Sequence, residues 1–446
     1  MISKRRPNDA YVWIWLPGRT DPVVAGRLLP GADGRLGFAY GQSYLGRRDA
    51  IPIYAPELPL ERGQQVPMGL LTMPSCIRDG SPDAWGRRVI INRLVGAKGK
   101  DADTITLDEL TYLMESGSDR IGALDFQASA TEYVPRLSAN VPLEELIEAV
   151  ERVEAGRTLT PELEQALNHG TSIGGARPKV LVEDGAKKLI AKFSASNDTY
   201  SVVKGEYVAM RLAMHAGLDV APVRMTRAAH KDVLLVERFD RVLSGTGWER
   251  RALVSALTIL ELDEMLARYA AYDQLVEVVN RRFTNAGATR RELFGRIVFN
   301  ILAGNTDDHA RNHAAFWDGT ALTLTPAYDI CPQARSGREA SQAMLIAGEE
   351  NHSRIAVCLD AAPIFGLSRK QAVGVVEHQL TRIARFWTET CDEAEVTETD
   401  RRLFMGRQFL NPYAFEGLTG GDEALQRLAD GIRMAVLSGG EPTQAE

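Results

Sequence analysis

The densest cluster of chemistry-bearing residues is NTDDHARNH, Asn305 to His313. It follows Leu293, Ile297, Ile301 and Leu302, whose spacing predicts a buried helix, so it is expected on the loop leaving that helix, where a rigid element can present reactive groups. Asp307 and Asn312 stand five apart, the spacing at which one loop supplies a catalytic base and a metal-binding amide for phosphoryl transfer. Alone, such a pair arises about once by chance in a chain of this length. Asp329, in LTPAYDI, ends a short apolar strand downstream, where a second carboxylate could bind Mg²⁺ together with Asn312 and leave positions open for water and phosphate. The intervening FWDGTALTL reads as a hairpin turning at Asp318 and Gly319.

Cationic groups come earlier in the chain. Lys192 ends the alternating strand LIAKF, where an ammonium could neutralise phosphates, although a strand lysine is more often a solvated surface residue. Glu206 falls near the start of the next helix. There it could pair with Lys192 or simply complement the helix dipole. In TSIGGARPK, Gly174 and Gly175 let the backbone approach an anion, with Ser172, Arg177 and Lys179 beside them; this is a phosphate-cradling loop in type, without the spacing of a Walker or dinucleotide motif. VERFDR closes the set, with Glu237 to Phe239 on the segment between a strand-rich and a helical region.

These residues need elements to hold them. Short apolar runs between Tyr11 and Tyr40, punctuated by Pro-Gly and Asp-Gly, predict an antiparallel meander that continues to SGSDRIGALDF. Leu143, Leu146, Ile147, Val150 and Val153 recur at helical spacing, with Gly156 placed to end the helix. Asp184 and Gly185 predict a hairpin, KGEYVAMRLAMHAGL a helix ended by Gly217, and Thr289 with Glu292 and Ser368 with Gln371 two capping boxes. The expected division is a β-rich subdomain over residues 1–130, a strand-rich region with connector helices over 131–250 and an α-helical lobe over 251–446.

The 446 residues are 45% hydrophobic and 25% charged, ordinary globular usage, and no apolar run is long enough to span a membrane. Lys4 to Arg6 before Tyr11 to Leu16 imitates a signal peptide, but the apolar stretch is too short, so a cytoplasmic protein is expected. Cys76, Cys331, Cys358 and Cys391 form no CxxC pair, which fits a reducing compartment. With 52 basic and 59 acidic residues the formal charge is −7, so contact with DNA would need a partner.

Taken in order, SIGGARPK, IAKF, VERFDR, NTDDHARNH and LTPAYDI resemble the HipA family of bacterial serine/threonine kinases, the toxin half of type II toxin–antitoxin pairs. GRLGFAYGQSYL, SPDAWGRR and SDRIGALDF extend the resemblance over nearly the whole chain. It implies an α+β, two-lobed, protein-kinase-like fold with an N-terminal β-rich subdomain and an all-α C-terminal lobe. It also implies ATP and Mg²⁺ as cofactors, with Asp307 as catalytic base, Asn312 and Asp329 as metal ligands and Lys192 as the phosphate-binding lysine, paired with Glu206. Ile173, Gly174, Gly175, Ala176, Arg177, Pro178 and Lys179 would form the loop over ATP, Glu237, Arg238 and Phe239 the adenine hinge, and His309 and Tyr328 further nucleotide contacts. Ser172 would be an autophosphorylation site that silences the kinase. The implied partners are a translation-related protein substrate, such as an aminoacyl-tRNA synthetase, and a HipB-like helix-turn-helix antitoxin that carries the DNA contact. The segment Asp329, Ile330, Cys331 departs from the Asp-Phe-Gly of eukaryotic kinases.

Three alternatives compete. His309 and His313 have the spacing of a zinc-protease histidine pair, but Ala310 stands where the catalytic Glu would be. A pseudokinase acting as corepressor would need none of Lys192, Asp307, Asn312 and Asp329. A small-molecule phosphotransferase shares the Asp-x4-Asn logic but not SIGGARPK or the N-terminal subdomain.

Overall fold

The computed structural model describes residues 7–31, 33–96, 105–136, 141–155, 157, 159–160, 162–163, 167, 175, 177–194, 198, 200–245, 247–335, 337 and 339–439. The chain divides into two compact units: Met1–Asn197 with Thr226–Val254 and Ala315–Ala321, and Asp198–Met225 with Ser255–Ala314 and Leu322–Glu446.

In the first unit the expected meander forms. Strands β1 (Ala10–Ile14), β2 (Val23–Pro30), β3 (Leu36–Tyr40) and β4 (Gln64–Gln65) pair antiparallel in sequence order, and β5 (Leu124–Gln127) closes the other edge against β1. Helices α1 (Ala84–Val95) and α2 (Glu109–Glu115) lie between β4 and β5 in the chain. Next comes α3 (Leu143–Glu154), which buries Leu146, Ile147, Val150 and Val153 as its periodicity requires. It ends at Glu154, two residues before Gly156, which lies outside the described residues.

A second sheet has the order β6 (Lys179–Asp184), β7 (Lys187–Phe193), β9 (Lys231–Glu237), β8 (Val223–Ala228). Its β6–β7 hairpin turns at Gly185, at φ 58°, beside Asp184 as read from the sequence. Val180, Leu189, Ala191, Phe193, Val233 and Leu235 meet the apolar face of α3 with Trp85 and Val89 of α1, so one core ties this sheet to both helices. Strands β10 (Arg241–Ser244) and β11 (Gly247–Arg250) form a separate hairpin.

The second unit is mainly helical. It contains α4 (Val202–His215), α5 (Tyr272–Arg282), α6 (Ala286–Ala303), α7 (Ile355–Ala361), α8 (Arg369–Glu393) and α9 (Glu423–Leu437). Helix α8 starts at the expected capping box, Ser368 with Gln371. The start of α6 differs. Asn285 caps it by accepting from Ala288 N at 3.2 Å, and Thr289 is buried one turn inside, because the Asn amide captures the first free N–H groups before Thr289 is reached. Among the described residues no helix is long and apolar enough to cross a membrane.

The end of α6 sets the direction of the loop that follows. Gly304 caps it at φ 71°, and a Cβ there would lie 2.5 Å from the Gln408 carbonyl oxygen, so both conformation and space require glycine.

Candidate active site

Within the second unit the loop after α6 is built from the inside out. Asn305 is buried and donates its side-chain N–H to Asn300 Oδ1 at 3.0 Å, fixing the loop to the last turn of α6. His309 N donates to Asp307 O at 2.9 Å and Asn312 N to His309 O at 2.8 Å, which folds residues 307–312 into a tight turn. Asn312 also spends its amide N–H on Asp307 O at 3.2 Å, leaving its oxygen as the acceptor end. Asp307 and Asn312, five apart in sequence, are therefore joined directly.

Asp307 is exposed, yet the surrounding protein withholds part of its hydration. This desolvation raises its carboxyl pKa above the ordinary carboxylate value; His309 acts against it, and the charges of Asp329 and Asp308 reinforce it. Asp329 is thus close enough to Asp307 for their charges to interact. Its backbone stands at φ 59°, an uncommon conformation for a non-glycine residue. The preceding Tyr328 donates its hydroxyl to Arg311 O at 2.7 Å, holding the Asp329 segment against the turn. Structure thus brings together Asp307, His309, Asn312, Tyr328 and Asp329.

Two carboxylates close enough for their charges to interact, with the Asn312 amide oxygen in the same turn as Asp307, form a donor set that suits a hard divalent cation shared with phosphate. Asn312 and Asp329 would hold it. Among the described residues no group of three or more His, Cys, Asp or Glu is arranged to hold a metal ion by itself.

His313 does not join His309 in a metal-binding pair. It is buried, with Nε2 3.0 Å from Asp308 Oδ1 and 2.8 Å from the Tyr272 hydroxyl, which itself donates to Asp308. Burial alone would raise the Asp308 pKa, but the charge and hydrogen bond of His313 and the bond from Tyr272 hold it below the usual value. Sequence reading missed this trio. Its one visible signal is the doubled Asp in NTDDH, in which Asp307 points out and Asp308 points in.

The first unit carries the cationic candidates. Lys192 on β7 lies directly opposite Lys179 on β6, and both are buried, at 9% and 5% exposure, so two ammonium groups share one face of the hairpin. Pro178 accepts from Phe193 N at 3.3 Å. Gly175 stands at φ 114°, and Arg177 is half-buried. Ser172, Ile173, Gly174 and Ala176 lie outside the described residues. Glu206 is buried on α4, in the other unit from Lys192.

In the expected hinge, Glu237 ends β9 opposite Leu189 and takes Lys187 Nζ at 2.5 Å. Phe239 meets Phe316 edge-on, with ring centroids 5.8 Å apart. The expectation for Arg238 narrows. Its N–H donates to Lys188 O at 2.9 Å, and its buried guanidinium binds Asp240 through two bonds of 2.9 Å and Asp119 at 3.0 Å, so neither is offered to a ligand. Arg241 reaches the same Asp119 and Asp240, each at 3.0 Å, and Asp240 accepts Gly122 N at 2.7 Å. The alternation of charge in VERFDR and SDRIGALDF is therefore structural, tying the segment after β9 to the loop before β5.

Comparison with known proteins identifies the family and the fold. Residues 171–394 match the family described as the HipA-like C-terminal domain. A Sinorhizobium fredii protein named as a kinase, Y4mE, is 25% identical over 346 residues, covering 71% of this chain and 76% of that protein. The serine/threonine-protein kinase toxin HipA of Shewanella oneidensis is 25% identical over 359 residues, covering 74% and 78%. The fold matches the solved Shewanella oneidensis toxin–antitoxin complex of HipA, HipB and operator DNA, with a TM-score of 0.63, 20% identity and 96% of each chain covered. The fold is thus α+β and kinase-like. The chain belongs to the HipA-like C-terminal domain family and is a serine/threonine kinase of HipA type.

Proposed function

We propose that the chain transfers the γ-phosphoryl group of ATP to a serine or threonine hydroxyl of a protein, with Asp307 as the base. The observation that carries this reading is the turn in which the Asn312 amide donates to Asp307 O at 3.2 Å, with Asp329 close enough for its charge to reinforce the burial that pushes the Asp307 carboxyl pKa upward. A base with a pKa nearer the working pH accepts a hydroxyl proton more readily than an ordinary carboxylate does. Because phosphoryl transfer asks little covalent work of the protein, rate comes from alignment and from offsetting charge on the phosphoryl oxygens.

Asp307 orients and deprotonates the hydroxyl. Lys192 binds phosphate; Lys179 supplies a second positive charge on the same face. A magnesium ion held by Asn312 and Asp329 would supply charge neutralisation on the phosphates. Backbone groups of Glu237 and Phe239 take the adenine. His309 and Tyr328 contact the nucleotide. Ser172, the residue before the loop of residues 173–179 in the sequence, is the autophosphorylation site whose added charge silences the enzyme.

The substrate we propose is a translation-related protein, an aminoacyl-tRNA synthetase. The growth-inhibiting activity is neutralised by a HipB-like DNA-binding antitoxin, as the pairing of the Shewanella protein with HipB and operator DNA supports. The test is incubation of the purified chain with γ-labelled ATP, with and without Mg²⁺, alone and in cell lysate, followed by phosphosite mapping. Label on Ser172 and on a lysate protein, dependent on Mg²⁺, is the expected result. ATP binding without label on any protein would overturn it in favour of a non-catalytic corepressor.

A further inference from the structure

Asp83 opens α1 from the position of its N-cap, where a carboxylate ordinarily accepts a first-turn N–H. It makes no such bond. Instead its Oδ2 accepts Gly175 N at 2.6 Å, 92 residues away in sequence, and Trp85 N donates to Gly175 O at 3.3 Å. The peptide groups on both sides of Gly175 are therefore gripped by the start of one helix. The backbone of Gly175 requires glycine, with φ at 114°, and a Cβ there would push aside the tip of the Lys179 side chain, 2.1 Å away at Nζ.

We propose that Asp83 is a positioning residue for phosphate binding, a latch by which the segment SPDAWGRR fixes Gly175 above the Lys179 ammonium. This rests on the kinase reading, in which the loop of residues 173–179 covers the phosphates of ATP. A glycine-rich loop left to itself has large conformational freedom, and ATP must order it on binding. A charge-assisted hydrogen bond to Gly175 made before ATP arrives removes part of that cost. SPDAWGRR thereby contributes to nucleotide affinity without touching nucleotide, and a helix cap is given up to do so.

Two readouts on Asp83→Ala and Asp83→Asn test the latch. The first is residue-resolved hydrogen exchange of the Gly175 amide without nucleotide; the second is KM for ATP against kcat. Asp83→Ala is expected to speed exchange and raise KM about tenfold with kcat little changed, the size of one lost charge-assisted bond. Asp83→Asn, which keeps an oxygen acceptor, is expected to restore most of both. Unchanged exchange in Asp83→Ala would overturn the latch, and faster exchange with unchanged KM would overturn its role in positioning. If the unsubstituted chain transfers no phosphate, the kinase reading fails by itself, and exchange with the ATP dissociation constant still judges the latch.

Discussion

Arg238 grips Asp240 with two parallel hydrogen bonds, Nε to Oδ1 and Nη2 to Oδ2, both 2.9 Å, and both side chains are buried. Asp119 and Arg241 complete a network in which each charge faces at least one opposite charge. Buried pairs of this kind are costly to break singly, because the surviving charge stays in a poor solvent.

Asp240→Asn is therefore expected to destabilise the protein by about 3–5 kcal/mol, leaving Arg238 and Arg241 with too little opposing charge. Urea unfolding at neutral pH measures this as a lower midpoint at constant slope.

The same network predicts acid sensitivity. Burial by itself would raise the Asp240 pKa, but Arg238 and Arg241 outweigh it and hold the folded-state value below the ordinary one. A depressed folded-state pKa means the stabilisation is fully present above the unfolded value of about 3.9 and is lost as pH falls through the folded value. Unfolding midpoints measured from pH 7 downward should fall below about pH 4 in the unsubstituted protein, and fall less in Asp240→Asn.

Asp307→Asn keeps the size of the side chain and removes its basicity. Transfer is expected to slow about 10²- to 10⁴-fold with ATP affinity nearly unchanged, read by single-turnover kinetics beside nucleotide titration. In the unsubstituted enzyme the acidic limb of kcat/KM should lie above the ordinary carboxylate value, because the working form is deprotonated and the pKa is raised.

Asp329 combines a charge with a left-handed backbone. Asn tolerates that conformation and a β-branched residue does not, so Asp329→Asn should fold normally and lose Mg²⁺-dependent transfer, whereas Asp329→Val should also lose about 1–2 kcal/mol of stability. Thermal unfolding and a Mg²⁺ titration of activity separate the two effects.

Much of the fold was legible because it is written in short-range patterns. The meander, the Asp184-Gly185 hairpin, the α3 stripe and the Ser368 capping box follow from alternation, turn chemistry and helical spacing. Asp307 and Asn312 were legible for the same reason, since one loop carries both. What could not be read depends on direction or distance. Nothing in NTDDH says which Asp faces solvent; that is set by Tyr272, 36 residues before Asp308, and by His313. Likewise only the fold shows that Asp119, on a distant loop, takes the Arg238 guanidinium. The start of α6 was misplaced because Thr289 and Glu292 have capping-box spacing, and only the fold shows that Asn285 acts first.

The most direct test of the kinase mechanism is single-turnover transfer from γ-labelled ATP by the unsubstituted chain and by Asp307→Asn, both saturated with Mg²⁺ and matched for bound nucleotide. Label transferred to a protein hydroxyl by the first, and slowed at least about a hundredfold in the second, is the predicted result. Equal transfer by both would remove Asp307 from the chemistry and contradict the assignment of this loop as the active site.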